Sequence, residues 1–585
     1  MTPRTRNRSL RPGTAAGAAA LLFVLLAALF HAQNAGSAAR AAGDALTLKL
    51  FAAAAVFCVS GTALTVRALL SGRAALHRIF LGTGLLLGLL FMLAMPGLSA
   101  PDEMGHYATA YRLSSVLLHE PELTDAGLIA VRARDYPLED LGGVKTPENP
   151  DDTEETPEVL GNPVTNRTFR AARDYEARYA AGENRNNPVS SALPDVRTTP
   201  VMYLPQAAGF AAARALGLGT MALLFCGKFL NLLVFLILVT LAIRETPVGR
   251  EVFFGTALLP MSLHLASSLS YDAGILGTSL LFTAEVLRLA YGGEQARGRD
   301  VLLLALLAAA LGPCKMIYSL LVFLPVVLVP AEKFGGRRKK AAAMGILFAS
   351  LILAVAAVNA GTIGAYAGAA SGGAAAAESA SGAASVVSAR AGYSARELIV
   401  HPALVIRMLL NTFSDQGAAL TGGMIGMHLG NLDPLLGTPF FAAVFFAAGL
   451  VLLALPAAER GSAAGRGSAA GRGSAAGCGS AAGREAAVGR DPMTRRGKLW
   501  CAGIFLCVVL AAAGAMLISW TTRGASEIEG VQGRYFLPVL PLLLLAIRNN
   551  WITMKSSPRC ILLCWFAALD FYTILRILAL AGMRI

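Results

Sequence analysis

Apolar residues fall in long runs separated by short polar connections, and these runs predict the architecture. Ala15 to Phe30, Leu46 to Val66 and Ile79 to Met95 come first, followed by a polar stretch over residues 99–200. The pattern then resumes with Met221 to Ile243, Val252 to Ser270, Tyr271 to Leu289, Val301 to Leu311, Ile317 to Val329 and Ala341 to Ala360. Pro439 to Leu455, Leu499 to Trp520, Phe536 to Ile547 and Cys560 to Leu580 complete it. Runs of about 17 to 25 residues are the length of helix that crosses about 30 Å of hydrocarbon. Lipid offers no partner for open backbone groups, so such runs span as helices. The expectation is an all-α, polytopic membrane protein of about 13 spans, with a large outer loop after the third.

The polar segments divide the rest. Residues 1–78 read as two additional N-terminal spans, 79–456 as a core membrane domain with outer loop 99–200, 457–498 as a linker and 499–585 as C-terminal spans. Within the loop, Glu103 to Leu118 has helical periodicity, while Lys145 to Glu158 is rich in Pro, Asp and Glu, a mobile composition. Ser394 to Phe413 reads as an amphipathic helix, and Leu420 to Thr438 as a Gly-rich passage containing Asp433. From Glu459 to Lys498 the unit Arg-Gly-Ser-Ala-Ala-Gly recurs, a basic low-complexity linker that marks the stretch most open to deletion.

Charge sets the orientation. The formal net charge is +14, yet residues 99–200 hold 18 Asp and Glu against 10 Lys and Arg, a net of −8 that leaves +22 on the rest. An acidic loop and basic remaining connections follow the positive-inside rule, so the basic groups report topology rather than nucleic-acid binding. Arg4, Arg6, Arg8 and Arg11 precede the first run, as in a signal peptide; we read an uncleaved span with the N-terminus inside. Arg67, Arg73 and Arg78 then put the next connection in the cytoplasm and Asp102, Glu103 and His106 outside. The eight cysteines are scattered, none in the acidic loop, which excludes a disulfide framework there.

Candidate chemistry collects at one level, the outer membrane surface. Asp102, Glu103 and His106 lie in Leu98-Ser-Ala-Pro-Asp-Glu-Met-Gly-His-Tyr107, at the exit of the third span. Ionisable groups at a span rim are costly to place and mark functional sites. The acid pair suits a general base with His106 assisting, and Pro101-Asp102-Glu103 is equally the composition of a helix start. Arg534, in Gly530-Val-Gln-Gly-Arg-Tyr535, suits bidentate binding of phosphate, with Gln532 and Tyr535 beside it. Lys315 suits phosphate as a point charge or simply marks the interface. Tyr271 and Asp272 are supporting residues, Asp272 reading first as a helix cap. No phosphate-binding glycine loop, zinc spacing or nucleophile elbow is present. Nothing in the sequence requires a cofactor; a divalent cation, Mg or Mn, on Asp102 and Glu103 is the one candidate.

Ser99-Ala-Pro-Asp-Glu-Met-Gly-His106, Tyr203-Leu-Pro-Gln206, Leu259-Pro-Met-Ser262, Ser268-Leu-Ser-Tyr-Asp272, Lys315 to Tyr318 and Gly530-Val-Gln-Gly-Arg-Tyr-Phe-Leu-Pro538 are specific as a set. In this order they resemble the bacterial membrane-protein family catalogued as domain of unknown function 2142, over roughly residues 79–548. That family in turn resembles the GT-C glycosyltransferases, in which an acidic motif of the first large outer loop is the catalytic base or metal-binding element. Asp102 and Glu103 match that position, although two extra leading spans move it to the second outer loop. The resemblance implies transfer of a sugar from a polyprenyl-phosphate donor to an extracytoplasmic cell-envelope glycan or lipid, at the outer face of the bacterial cytoplasmic membrane. The alternative is a transporter or flippase of a lipid-linked envelope intermediate, which calls for charges at the membrane midplane and an internal repeat.

Overall fold

A computed structural model describes residues 12–43, 45–141, 160–161, 163–179, 182, 184–191, 193, 200–370, 393–456 and 491–584. The Pro/Asp/Glu-rich passage over 145–158, residues 371–392 and the repeat linker lie outside the described residues, apart from the linker's end. Among the described residues the chain is helical, with one two-stranded antiparallel sheet, Ala130–Arg132 against Pro188–Ser190.

Among the described residues, eight helices are long and apolar enough to cross a membrane: Pro12–Ala42, Leu46–Ser71, Leu76–Ala94, Thr220–Glu245, Asp272–Tyr291, Arg337–Ala360, Arg495–Ser519 and Ser557–Met583. Met316–Leu328, Phe440–Ala454 and Gly533–Ala546 are shorter apolar helices. Gly298–Leu311 and a broken pair, Arg250–Ala257 and Pro260–Ala266, account for the remaining apolar runs.

The run expected as one span over 252–270 is therefore interrupted. Pro260 has no N–H to continue the preceding helix and instead starts a new one. Every residue from Val252 to Ser270 is buried. Irregular backbone at such depth is tolerated only when protein groups satisfy it. Ser267 Oγ donates to Gly88 O at 3.0 Å, Asn231 Nδ2 to Ser268 O at 2.8 Å and to Ser270 O at 3.0 Å, and Gln206 Nε2 to Leu269 O at 3.3 Å. Three helices thus brace the turn that leads into Asp272.

The expected loop helix forms as Glu103–Leu118 and packs on Leu204–Ala215, with Tyr107, Tyr111 and Phe210 in ring contact between them. The expected amphipathic helix divides at Pro402 into Ala395–Val400 and Pro402–Asp415. At the chain's two ends, Pro12–Ala42 and Leu46–Ser71 pack against Ser556–Met583, so the extra leading helices and the last one form one bundle.

The borders of the repeat linker meet on the same loop. Met554 N donates to Pro456 O at 2.9 Å, Asp491 N to Asn550 Oδ1 at 2.8 Å, and Arg548 bonds both Ala454 O and Asp491 Oδ1, at 2.9 and 3.2 Å. Backbone hydrogen bonding of the flanks, not of the excised segment, governs tolerance to deletion. Replacing residues 459–488 by a short Gly/Ser bridge is expected to leave the thermal unfolding midpoint in detergent within a few degrees. Arg548→Met, which opens the clasp, lowers it.

Candidate functional site

The site lies at one end of the bundle. Asp102 follows the C-terminal end of Leu76–Ala94, Asp272 opens Asp272–Tyr291, Lys315 follows Gly298–Leu311, and Arg534 opens the turn after Arg495–Ser519. These four residues form a chain of alternating charge. Arg534 Nη2 donates to Asp102 Oδ2 at 3.0 Å, Arg534 Nε is 3.7 Å from Asp272 Oδ2, and Lys315 Nζ is 2.5 Å from Asp272 Oδ1. Such pairing is required, because an isolated buried charge is strongly disfavoured.

Local sequence explains each position. Asp102 has φ 58°, the left-handed region that aspartate tolerates better than most residues. Its carboxylate makes no cap hydrogen bond; it is 75% exposed and turned toward Arg534, whose side chain is 4% exposed. Asp272 differs from its expected role as a cap. Ser270 Oγ accepts from the Asp272 N–H at 3.2 Å, and its carboxylate faces Lys315 and Arg534 because two cations compete for it. Lys315 sits 5.1 Å over the ring of Tyr271 and 4.7 Å over that of Tyr535, distances at which an ammonium is attracted to the ring face. Tyr318 donates to Tyr535 O at 2.8 Å and anchors the Gly533–Val539 turn.

The acid pair is split. Glu103 is 2% exposed, and its oxygens accept from Ala100 N and Leu269 N, both at 2.9 Å, while Lys228 Nζ lies 3.2 Å away. Glu103 thereby ties the start of its own helix to the braced turn before Asp272. Burial raises its pKa, but the Lys228 charge and the two backbone N–H groups outweigh that and hold the carboxyl below its usual range. His106, also buried, shares a 2.7 Å hydrogen bond between Nδ1 and the Tyr203 hydroxyl and meets the Tyr271 ring edge-on. Burial lowers its pKa to about 4, against the opposing pull of Asp272 and Asp102, so the imidazole is neutral at pH 7.

A cavity of about 390 Å³ is lined by Asp102, His106, Tyr271, Asp272, Lys315, Arg534 and Tyr535 together with the apolar Met316, Ile317, Ala512, Ala515 and Met516. Glu103 does not line it, and Gln532 lines a neighbouring cavity instead. Among the described residues no group of three or more His, Cys, Asp or Glu is placed to hold a metal ion. Asp102 and Asp272 face cations and Glu103 is spent on backbone and Lys228, so the acids present do not assemble a divalent-cation site.

Sequence reasoning overlooked Lys228 and Asn231, and it singled out Tyr203 and Gln206 only within a family motif, with no role assigned. The first two carried a legible signal: a lysine and an asparagine one turn apart inside an apolar span face protein, not lipid.

Long apolar helices, a broken buried helix and a charged cavity at one end define a polytopic membrane protein with an ionic centre. The family described as a predicted membrane protein, DUF2142, matches residues 85–543, and the chain belongs to it. No curated protein and no solved structure matches the chain.

Two outcomes follow from the buried groups. Lys228→Met leaves Glu103 ionised without its counter-ion, and stability is expected to fall by about 3–5 kcal/mol, read as a lower unfolding midpoint. Below pH 6.5 an unfolded chain protonates at His106 before the folded one does. Stability therefore declines as pH falls from about 6.5 toward about 4, by up to about 1.4 kcal/mol per pH unit; loss of the depressed Glu103 ionisation acts in the same direction. Unfolding midpoints between pH 7 and 4.5, with His106→Asn flattening the slope, check this.

Proposed function

We propose that the chain is a GT-C-like glycosyltransferase that moves a sugar from a polyprenyl-phosphate donor to an extracytoplasmic cell-envelope glycan or lipid. It is integral to the bacterial cytoplasmic membrane, with the N-terminus on the cytoplasmic side and the site facing outside. The observation that carries this reading is the mixed lining of the cavity, in which the ionic side chains Asp102, Asp272, Lys315 and Arg534 stand with apolar residues of the helix Arg495–Ser519 and with Met316 and Ile317. An amphiphile with an anionic head and a hydrocarbon tail matches both kinds of lining.

In this reaction the acceptor hydroxyl gives its proton to Asp102, and its oxygen attacks the anomeric carbon from the face opposite the phosphate. The bond from that carbon to the phosphate oxygen breaks, and its electron pair leaves with the lipid phosphate. Arg534 and Lys315 stabilise the charge that grows on the departing group, an effect realised mainly in the transition state. Asp272 keeps both cations in place. Neutral His106 orients the site through Tyr203 and is a second proton acceptor. Glu103 acts as a positioning residue, since its oxygens are taken by Ala100, Leu269 and Lys228. No step is routed through a metal.

One observation favours the alternative, a transporter or flippase. Asp570, in the helix Ser556–Met583, is fully buried with both carboxylate oxygens unpaired, and an acid within a span is a feature of coupled transport.

The two readings separate in purified protein reconstituted with polyprenyl-phosphate sugars. Asp102→Asn is expected to reduce sugar transfer by about 10²- to 10⁴-fold in a chain that still folds, with an unfolding midpoint lowered by the loss of one of the two counter-ions of Arg534, and Asp570→Asn to leave transfer intact. Transfer that survives Asp102→Asn but vanishes with Asp570→Asn would remove the enzyme assignment.

A further inference from the structure

Arg534 belongs to two cavities. Beside the charged one lies a second, of about 270 Å³, between the helix Gly417–Ile425, the loop after it and the Gly533–Val539 turn. Its polar lining comes from Gln416, His428, Gln532 and Arg534, and among the described residues no carboxylate or lysine lines it.

Three buried polar atoms at this wall lack hydrogen-bond partners. They are Arg534 Nε and Nη1 and Gln532 Oε1. Nε is at ion-pair distance from Asp272, but Nη1 has no such relation. Unsatisfied buried donors and acceptors are rare in folded proteins, and those that occur call for an explanation in ligand or water. Here an unpaired donor and an unpaired acceptor stand on the same turn, two residues apart.

That combination selects among ligands. An anion would suit Arg534 Nη1, yet it would meet the Gln532 carbonyl oxygen with a second negative group. An ammonium would suit Gln532 and be repelled by Arg534. A hydroxyl donates through its hydrogen and accepts through its lone pairs, so it satisfies both. Gln416 and His428 offer further donors and acceptors to neighbouring hydroxyls, while Met261, Leu420 and Leu432 supply apolar surface for a ring face.

We infer that this second cavity is a binding site for a neutral, polyhydroxylated ring, a glycoside, held by Gln532 and the unpaired edge of Arg534. On the transfer reading above, and resting on it only for this clause, it holds the acceptor sugar beside the Arg534–Asp102 pair. Binding itself does not depend on that reading.

Gly423 provides the test. It lines the cavity, and a Cβ there would meet nothing closer than His428 Nδ1 at 3.8 Å. Gly423→Leu therefore fills the space without displacing backbone, and leucine is the better helix former. The full chain in lipid nanodiscs is probed by saturation-transfer NMR with methyl β-glucoside and methyl α-mannoside, with glycerol 1-phosphate as the anionic comparison. The expected result is transfer to the protons of at least one neutral glycoside, abolished by Gly423→Leu and reduced at least fivefold by Gln532→Leu. Asp102→Asn, which stops the proposed reaction, keeps the signal, so a failed transferase assignment leaves this inference standing. Absence of signal from both glycosides, signal from glycerol 1-phosphate alone, or equal signal in Gly423→Leu of unchanged unfolding midpoint overturns it.

Discussion

A guanidinium buried between two carboxylates is the constraint on which the rest of this structure depends. Arg534 is separated from Asp102 by more than four hundred residues, yet its side chain is 4% exposed and its charge has no solvent to rely on. Taking such a charge out of water costs several kcal/mol even after relaxation, and only close counter-ions offset it. The helices that carry Asp102, Asp272 and Lys315 must therefore end at one level. Alternation of charge along the four residues keeps the group near neutral, so the cluster survives in apolar surroundings while one carboxylate, Asp102, remains open to solvent.

Below that chain lies a second ionic contact with a different task. Glu103 and Lys228 are both buried, and Glu103 spends its lone pairs on the N–H groups of Ala100 and Leu269. Its effect passes through the turn from Ser267 to Ser270, an irregular stretch that Gln206, Asn231 and Ser267 also brace. That turn delivers Tyr271 to the ring contacts with His106 and Tyr203, and Asp272 to the two cations. Two adjacent acids thus divide the work: one faces the cavity, and its neighbour holds the turn before Asp272 in place. Adjacent residues at a helix start diverge by roughly 100° about the axis, which follows from 3.6 residues per turn.

Close approach of backbones completes the arrangement. At Gly533 a Cβ would run into the Leu420 carbonyl and the Met424 amide, so glycine is what lets the turn carrying Arg534 press against the helix Gly417–Ile425. The same contact sets the wall between the two cavities. The apolar lining of the larger one includes small and flexible residues, Ala512, Ala515 and Met516, on a helix whose buried face also carries Cys501, Ile504, Val508 and Ala513.

The one-dimensional pattern by itself determined the class of the protein, the register of most long helices and the end of the bundle at which the chemistry gathers. Hydrophobic length and charge at span ends are properties of each segment alone, since the bilayer acts on every segment separately. It also singled out Asp102, His106, Asp272, Lys315, Arg534 and Tyr535, because polar groups at span rims are conspicuous against an apolar background. Only the tertiary structure decided which of them share a cavity. Burial turned Glu103 away, competition between two cations drew Asp272 from its cap, and Gln532 fell on the far side of Arg534. Pro260 broke a run that hydropathy reads as continuous, and the irregular turn at its far end is held by Asn231, Gln206 and the Gly88 carbonyl, from three other helices. Those outcomes depend on pairings between residues far apart in the chain, and no periodicity or local composition encodes a partner's position.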